Sequence, residues 1–282
     1  MSERTNIKPV DFAAVWHGMV REDKNNRVHA GKDLAFWERY AAHYDVQTAT
    51  PGTYTETLKL LTELVRPDDS LLDVGAGTGR FALPLAGRVR HVTALDHSAA
   101  MLAILRQKMG RATLNDDMGN IAIVEAAWEE VQVERHDVVL AAWSLYRQPD
   151  ILAALRKLVA TTRRLLLIVD GDITIPPHEE LMASIWGAKE PSGVPKYLYF
   201  LGALWQIGIR ADVRIVHETR SYYGSSPQAI AQQLAPSHAT RAEIERFTSA
   251  LLPRLRRPQH GCSYAFPFTV GVLIWQRRVS NP

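Results

Sequence analysis

The chain has 282 residues, of which 46% are hydrophobic and 22% charged, and a net charge of +3. That composition supplies an ample core, while the single cysteine, Cys262, excludes an intrachain disulfide framework and argues against a thiolate-rich metal site. The polar opening residues lack the pattern of a secretory signal and no apolar run reaches the ~18 residues of a membrane span, so a cytoplasmic protein with no membrane partner is expected.

In chain order, residues 10–20 pattern as a short amphipathic helix. From Asp33, an N-cap, Leu34, Trp37, Tyr40 or Ala41, and Tyr44 recur at helical spacing and place an aromatic stripe on one face. A further helix over residues 53–65 stops before Pro67. The run LLDVGAGTGRF then reads as a buried strand carrying Asp73, a turn through Gly75, Gly77 and Gly79, and a helix bearing Phe81, Leu83, Leu85 and Ala86. HVTALD is a second strand ending at Asp96, and Ser98 caps the helix AAMLAILRQKM. IAIVEA, DVVLAAW and LLLIVD supply three more strands, with Asp150 capping the helix before the last of them. Two helical stretches follow, around residues 178–187 and 196–209. A sixth strand begins near residue 212, Ser226-Pro227 opens a helix, Thr240 and Glu243 form a capping box, and FPFTVGVLIWQRR closes the chain as a last strand.

The chemistry concentrates between residues 71 and 101. Glycines let the backbone approach a ligand, and Asp96, 23 residues after Asp73, stands where an acid accepts ribose hydroxyls. Arg80 occupies the place where a dinucleotide G-x-G-x-x-G loop wants a small residue, and no G-x-x-x-x-G-K-[ST] occurs. An acid ahead of the loop repels a pyrophosphate and suits a ligand carrying an amino group.

The pattern D-x-G-x-G-x-G, with a second acid ending the next strand, resembles the class I S-adenosylmethionine (SAM) dependent methyltransferases. The likeness is specific over residues 71–101 and extends to about residue 170. It implies an α/β fold: a doubly wound, mostly parallel seven-stranded sheet with an antiparallel last strand, a helical N-terminal lid and a helical insertion before the sixth strand. The organisation expected is a lid or extension over 1–66, a SAM-binding core over 67–174, a helical cap over 175–211, and strands and helices completing the sheet over 212–282. The resemblance also implies SAM as cofactor and S-adenosylhomocysteine as product. Gly75, Ala76 and Gly77 would pass the methionine portion, Asp73 would attract its ammonium and Asp96 would hold the ribose. His97 and Met101 would lie near the adenosine, and Trp37 and Tyr44 would close the lid. The family's acid after the third strand is missing: Ala126, Ala127, Trp128 and Glu129 stand there, leaving Ala127 and Trp128 to read adenine and Ala142 to complete the cofactor set.

For the reaction itself, Trp143 and Tyr146 follow the fourth strand, where ligands bind in this fold, and both are catalytic candidates together with His260. His178, His217 and His260 are candidate bases by region. No histidine pair has metal-ligand spacing, so no metal is expected. The acceptor expected is a small molecule, with oxygen or nitrogen ranked ahead of carbon, acting on a monomer or homodimer. An RNA or protein methyltransferase is the alternative, suggested by arginines 163–164 and 254–257; nucleic acid is disfavoured because the charge excess is small. A non-catalytic SAM-binding protein is the third reading.

Overall fold

The structure, a computed structural model, describes residues 10–22, 33–48, 54–112, 119–172, 176–187, 194–236, 238–256 and 261–278. Helices α1 (Phe12–Glu22), α2 (Asp33–Thr48) and α3 (Thr55–Leu64) precede the alternating part of the chain. That part runs β1 (Ser70–Val74), α4 (Ala82–Ala86), β2 (His91–Asp96), α5 (Ala99–Ala112), β3 (Ile121–Glu125), β4 (His136–Ala142), α6 (Ile151–Thr161) and β5 (Thr162–Gly171). Next come α7 (Glu179–Trp186), α8 (Lys196–Gln206), β6 (Asp212–Gly224), α9 (Pro227–Leu234), α10 (Arg241–Leu251) and β7 (Cys262–Gln276).

The seven strands lie in the order β3-β2-β1-β4-β5-β7-β6. The first five pair in parallel, and β7 runs antiparallel to both β5 and β6. Side chains alternate across a strand, so Leu71, Leu165 and Leu167 enter the core beneath α3, α4 and α5, while Leu72, Leu166 and Ile168 enter the one beneath α1, α6 and α8. Both faces are covered, which is why β1 and β5 read as unbroken apolar runs. This is the doubly wound sheet expected from the sequence, including its antiparallel last strand.

The segments outside the sheet sort themselves by which core they fill. Among the described residues of 1–66, α2 stands beside the loops that end β1 and β2, and Val20 and Arg21 at the end of α1 reach the same place. Helix α1 belongs to the core: Trp16 is 1% exposed, its ring centroid is 4.9 Å from that of Phe200, and its Nε1 donates to the Gln148 carbonyl at 2.6 Å. The expected cap over 175–211 likewise divides. Helix α8 buries Tyr197, Phe200, Ala203 and Leu204 against the sheet. Helix α7 joins α9 and α10 in a third, smaller core around Ile230, Phe247, Leu251, Tyr264 and Phe266. That core exists because the β6–β7 ladder runs on past the end of β5, from His217↔Thr269 to Gly224↔Cys262, and leaves a ribbon for helices to cover. The capping box expected at Thr240 and Glu243 forms and starts α10. Among the described residues no helix is long and apolar enough to cross a membrane.

Because Trp16 fills a space between α8 and the β4–α6 loop, Trp16→Ala is expected to cost about 3–5 kcal/mol. Urea unfolding of the variant measures it; a loss below ~1 kcal/mol, the ordinary effect of a substitution outside a packed core, would mean that α1 is not part of the core.

Candidate functional site

The parallel strands end together on one edge of the sheet, and the loops leaving β1, β2 and β4 define a cavity of about 700 Å³ there. After β1 the chain turns through left-handed positions at Gly75 (φ 77) and Gly77 (φ 55). Both need glycine, for different reasons. A Cβ on Gly75 would stand 2.4 Å from the Ser144 Cβ, so this glycine lets the β1 and β4 loops touch. A Cβ on Gly77 would meet nothing within 4 Å, so there the backbone faces open cavity. The turn is held from β2: the Leu95 carbonyl accepts from the N–H groups of Gly75 and Ala76 at 2.8 and 2.9 Å.

Asp96 secures the same turn. One of its oxygens accepts from the Gly77 N–H at 2.8 Å and the other from the Ser98 N–H at 2.9 Å. Each oxygen retains a second lone pair, and the residue lines the cavity. Ser98 caps α5 through the Met101 N–H at 3.2 Å and donates to Glu38 of α2 at 2.9 Å. Three ties fasten α2 over the cavity: Glu38 to Ser98 and to the Ala100 N–H, Asp33 to Arg147, and the Tyr44 hydroxyl, which accepts from Arg80 at 2.8 Å.

All the residues expected to bind cofactor line this one cavity: Trp37, Tyr44, Asp73, Gly75, Ala76, Gly77, Asp96, His97, Met101, Ala127, Trp128 and Ala142. Trp143 and Tyr146 line it too. Where the expected acid after β3 is missing, Glu129 reaches the cavity wall, with its carboxylate accepting from Gln148 at 2.5 Å. The candidate bases do not converge there. His217 is exposed on β6, while His178 is buried beside Tyr264, its Nδ1 3.1 Å from the hydroxyl. Burial, with Arg254 and Arg220 nearby, pushes the His178 pKa down to about 4. His260 lies outside the described residues. The arginine groups are also accounted for in part: Arg164 pairs with Asp69, at the edge of the sheet away from the cavity, and Arg254 donates to the Pro177 carbonyl.

Several wall residues carried no sequence signal. Arg147 in the wall, and Glu38 behind it, gain their roles only when α2 meets the β4 loop and the start of α5, whereas Ser144 follows the fourth strand, where the sequence already places the acceptor. Trp143 adopts φ 50, an uncommon left-handed conformation for an aromatic residue, which puts its ring 4.7 Å from Tyr54 and parallel to Phe81. Arg80 was visible only as the residue that spoils a dinucleotide loop.

The electrostatics are uneven. Burial, and then the neighbouring Asp96, push the Asp73 carboxyl up to about 7. Burial pushes Asp170, at the end of β5, up to about 6, against the opposing influence of Lys196 and a bond from the Gly171 N–H. Tyr146 is raised well above the usual phenol value, first by burial and then by Tyr44, Asp170 and Asp96, which keeps its hydroxyl protonated. Among the described residues no group of three His, Cys, Asp or Glu could hold a metal ion.

Comparison with known proteins now meets this geometry. The family described as "Methyltransferase domain" matches residues 71–164, the stretch from β1 to the start of β5. Over these residues the chain is similar to methyltransferases. An uncharacterized protein of Haemophilus influenzae is 30% identical over 181 residues, covering 62% of this chain and 64% of that one. The ubiquinone/menaquinone biosynthesis C-methyltransferase of Agrobacterium fabrum is 27% identical over 139 residues, covering 46% of this chain and 51% of its own. The chain therefore spans less than two thirds of the length of either relative. The solved structure of the cyclase SpnF superposes with a TM-score of 0.55 at 15% identity, over 88% of this chain and 96% of that one. That likeness shows the fold of the methyltransferase domain and its flanking elements, not an activity.

The raised carboxyls set the pH dependence of stability. A folded Asp73 pKa of about 7 lies above its unfolded value of about 3.9. The native state thus holds the extra proton, and the stability this confers is present below the unfolded value and lost as pH rises toward 7. Asp73→Asn is expected to gain stability relative to wild type at pH 8 and to lose most of that advantage at pH 5, as read by denaturant unfolding. An equal difference at both pH values would show that Asp73 titrates normally.

Proposed function

We propose that this chain transfers a methyl group from SAM to a small-molecule acceptor. The observation that carries the reading is the convergence on one cavity of the Gly75–Gly77 turn, the Asp96 carboxylate and the aromatic side chains of α2 and the β4 loop.

The wall also fits the cofactor atom type by atom type. Beside Gly77 there is room for a ligand backbone against the chain, and Asp96 offers lone pairs to ribose hydroxyls. Ser144 Oγ and Trp128 Nε1 are buried at the wall without a hydrogen-bond partner, as expected of groups whose partner is a ligand. Met101 supplies a polarizable contact for a flat ring, and Trp37 and Tyr44 offer aromatic faces to a sulfonium. Asp73 can gain a cationic partner, which would draw its proton off. When bound, SAM supplies a methyl carbon whose bond to sulfur breaks as the acceptor's electron pair attaches, leaving S-adenosylhomocysteine.

What the chain contributes is alignment and exclusion of water. Trp143 and Tyr146 border the place where donor and acceptor would meet. Tyr146 keeps its proton and can orient an acceptor atom. His97, the cavity's histidine, stands 3.8 Å from Asp96 at the ribose corner, whereas Asp170, whose carboxyl burial pushes up to about 6, bears on Tyr146 from the end of β5. An acceptor atom that arrives with a free electron pair needs no base. Oxygen and nitrogen acceptors satisfy this directly, and a stabilised carbanion would also, in keeping with the carbon chemistry in the Agrobacterium relative's name.

Calorimetric titration tests the reading. SAM and S-adenosylhomocysteine are expected to bind in the micromolar range, and NAD not at all. Asp96→Ala should weaken both adenosyl ligands by about 1.5–3 kcal/mol, the value of hydrogen bonds to a charged group, or roughly ten- to a hundredfold in Kd. Saturable binding of NAD in place of SAM would sink the proposal.

A further inference from the structure

Arg80 differs from Asp96, Glu129 and Arg147, charged groups of the same wall. Asp96 is committed to two backbone N–H groups, Glu129 to Gln148, and Arg147 to Asp33. Arg80 lies in the cavity wall directly after the glycine turn, and among the described residues no carboxylate is within ion-pair distance of it. Its guanidinium instead lies over the ring of Tyr54 at 4.5 Å, near those of Tyr44 at 5.2 Å and Trp143 at 5.8 Å. One nitrogen donates to the Tyr44 hydroxyl, and Nε is buried with no hydrogen-bond partner. A guanidinium is costly to bury without an anion, and aromatic faces offset only part of that. The arrangement is that of a seat holding a planar, forked donor in place for a ligand.

Tyr44 and Trp143 bring this seat to the cavity wall, and Tyr54 backs it from the core. Tyr54, 7% exposed and held at φ 64, packs edge-on against Trp143 and Phe268, at 4.7 and 5.5 Å between centroids. From behind, Arg220 of β6 donates to its hydroxyl at 3.4 Å, so one guanidinium lies over the Tyr54 ring and a second holds its hydroxyl. This is the β7–β6 side of β4, whereas Asp96, His97 and Met101 mark the opposite, β2 side.

We propose that Arg80 binds the acidic group of the acceptor, and that the acceptor is accordingly a small organic anion with an aromatic or apolar body that rests beside Tyr44, Trp143 and Tyr146, which line the same cavity. This rests on the methyltransferase reading for the division of the cavity into cofactor and acceptor halves.

The test uses matched acids and amides: benzoate and benzamide, phenylacetate and phenylacetamide, octanoate and octanamide. Each is titrated into the full chain with and without S-adenosylhomocysteine. At least one acid is expected to bind tenfold or more tightly than its amide. Arg80→Gln should reduce that preference to less than twofold, whereas Tyr44→Phe, which breaks the Arg80–Tyr44 tie but keeps the guanidinium, should retain it. If no acid outcompetes its amide in wild type, the proposal is overturned, and this comparison stands even if the variant fails to fold. It is equally overturned if Arg80→Gln weakens S-adenosylhomocysteine tenfold yet leaves 5′-methylthioadenosine unchanged, since the guanidinium then serves the carboxylate of the cofactor. Failure of the wild type to bind S-adenosylhomocysteine at all would count against the methyltransferase reading separately, because the acid–amide contrast is also measured without it.

Discussion

The carboxylate of Asp96 joins three parts of the molecule that the chain keeps apart. It ends β2, it pins the Gly77 N–H of the turn after β1, and it pins the Ser98 N–H at the start of α5. Hydrogen bonds to an ionised acceptor are short and about twice as strong as neutral ones. This pair therefore sets the separation between the glycine turn and the first turn of α5. Ser98 passes the constraint on, since its hydroxyl reaches Glu38 and so positions the helix that closes the cavity. Loss of this corner would disturb the cavity floor, its far wall and its roof together.

The sheet makes that corner possible at low cost. Parallel strands β1, β2 and β4 end at the same edge, and the apolar cores on both faces leave their ends no freedom to slide. Their loops can then depart from ordinary backbone geometry. Gly75 accepts contact with Ser144, and Trp143 takes a conformation that its own side chain disfavours. Strain of this kind persists only where the surroundings over-determine the chain. Here the surroundings are the Trp143 N–H bond to the Val169 carbonyl at 2.8 Å and the aromatic packing of Tyr54 and Phe81.

The β6–β7 ribbon gives the molecule its asymmetry. By outrunning β5 it carries a small core of its own, with α7, α9 and α10, on the side of β4 away from Asp96. The aromatic and arginine side chains at the base of this ribbon, Phe268 and Arg220, meet Tyr54 in the core behind Arg80. The cavity itself is lined by residues between Val20 and Pro149, so the ribbon supports its wall from behind without entering it.

Much of the cofactor half was legible in the amino-acid order because its determinants are local. Glycine at positions 75 and 77 is required by the backbone of a single turn, Asp96 by the end of a single strand, and Ser98 by the first turn of a single helix. Apolar runs and their spacing likewise determine a doubly wound sheet, because strands covered on both faces cannot carry polar alternation. What only the tertiary structure decided are the pairings between distant segments: Asp33 with Arg147, Glu38 with Ser98, and Tyr44 and Tyr54 around Arg80. The same holds for the helices. The aromatic residues of α8 have the spacing of either a cap or a core helix, and only the depth of the groove between α1, α6 and β5 makes them core. Charge partners and burial are properties of where two faces meet, and periodicity within one segment carries no information about the face opposite.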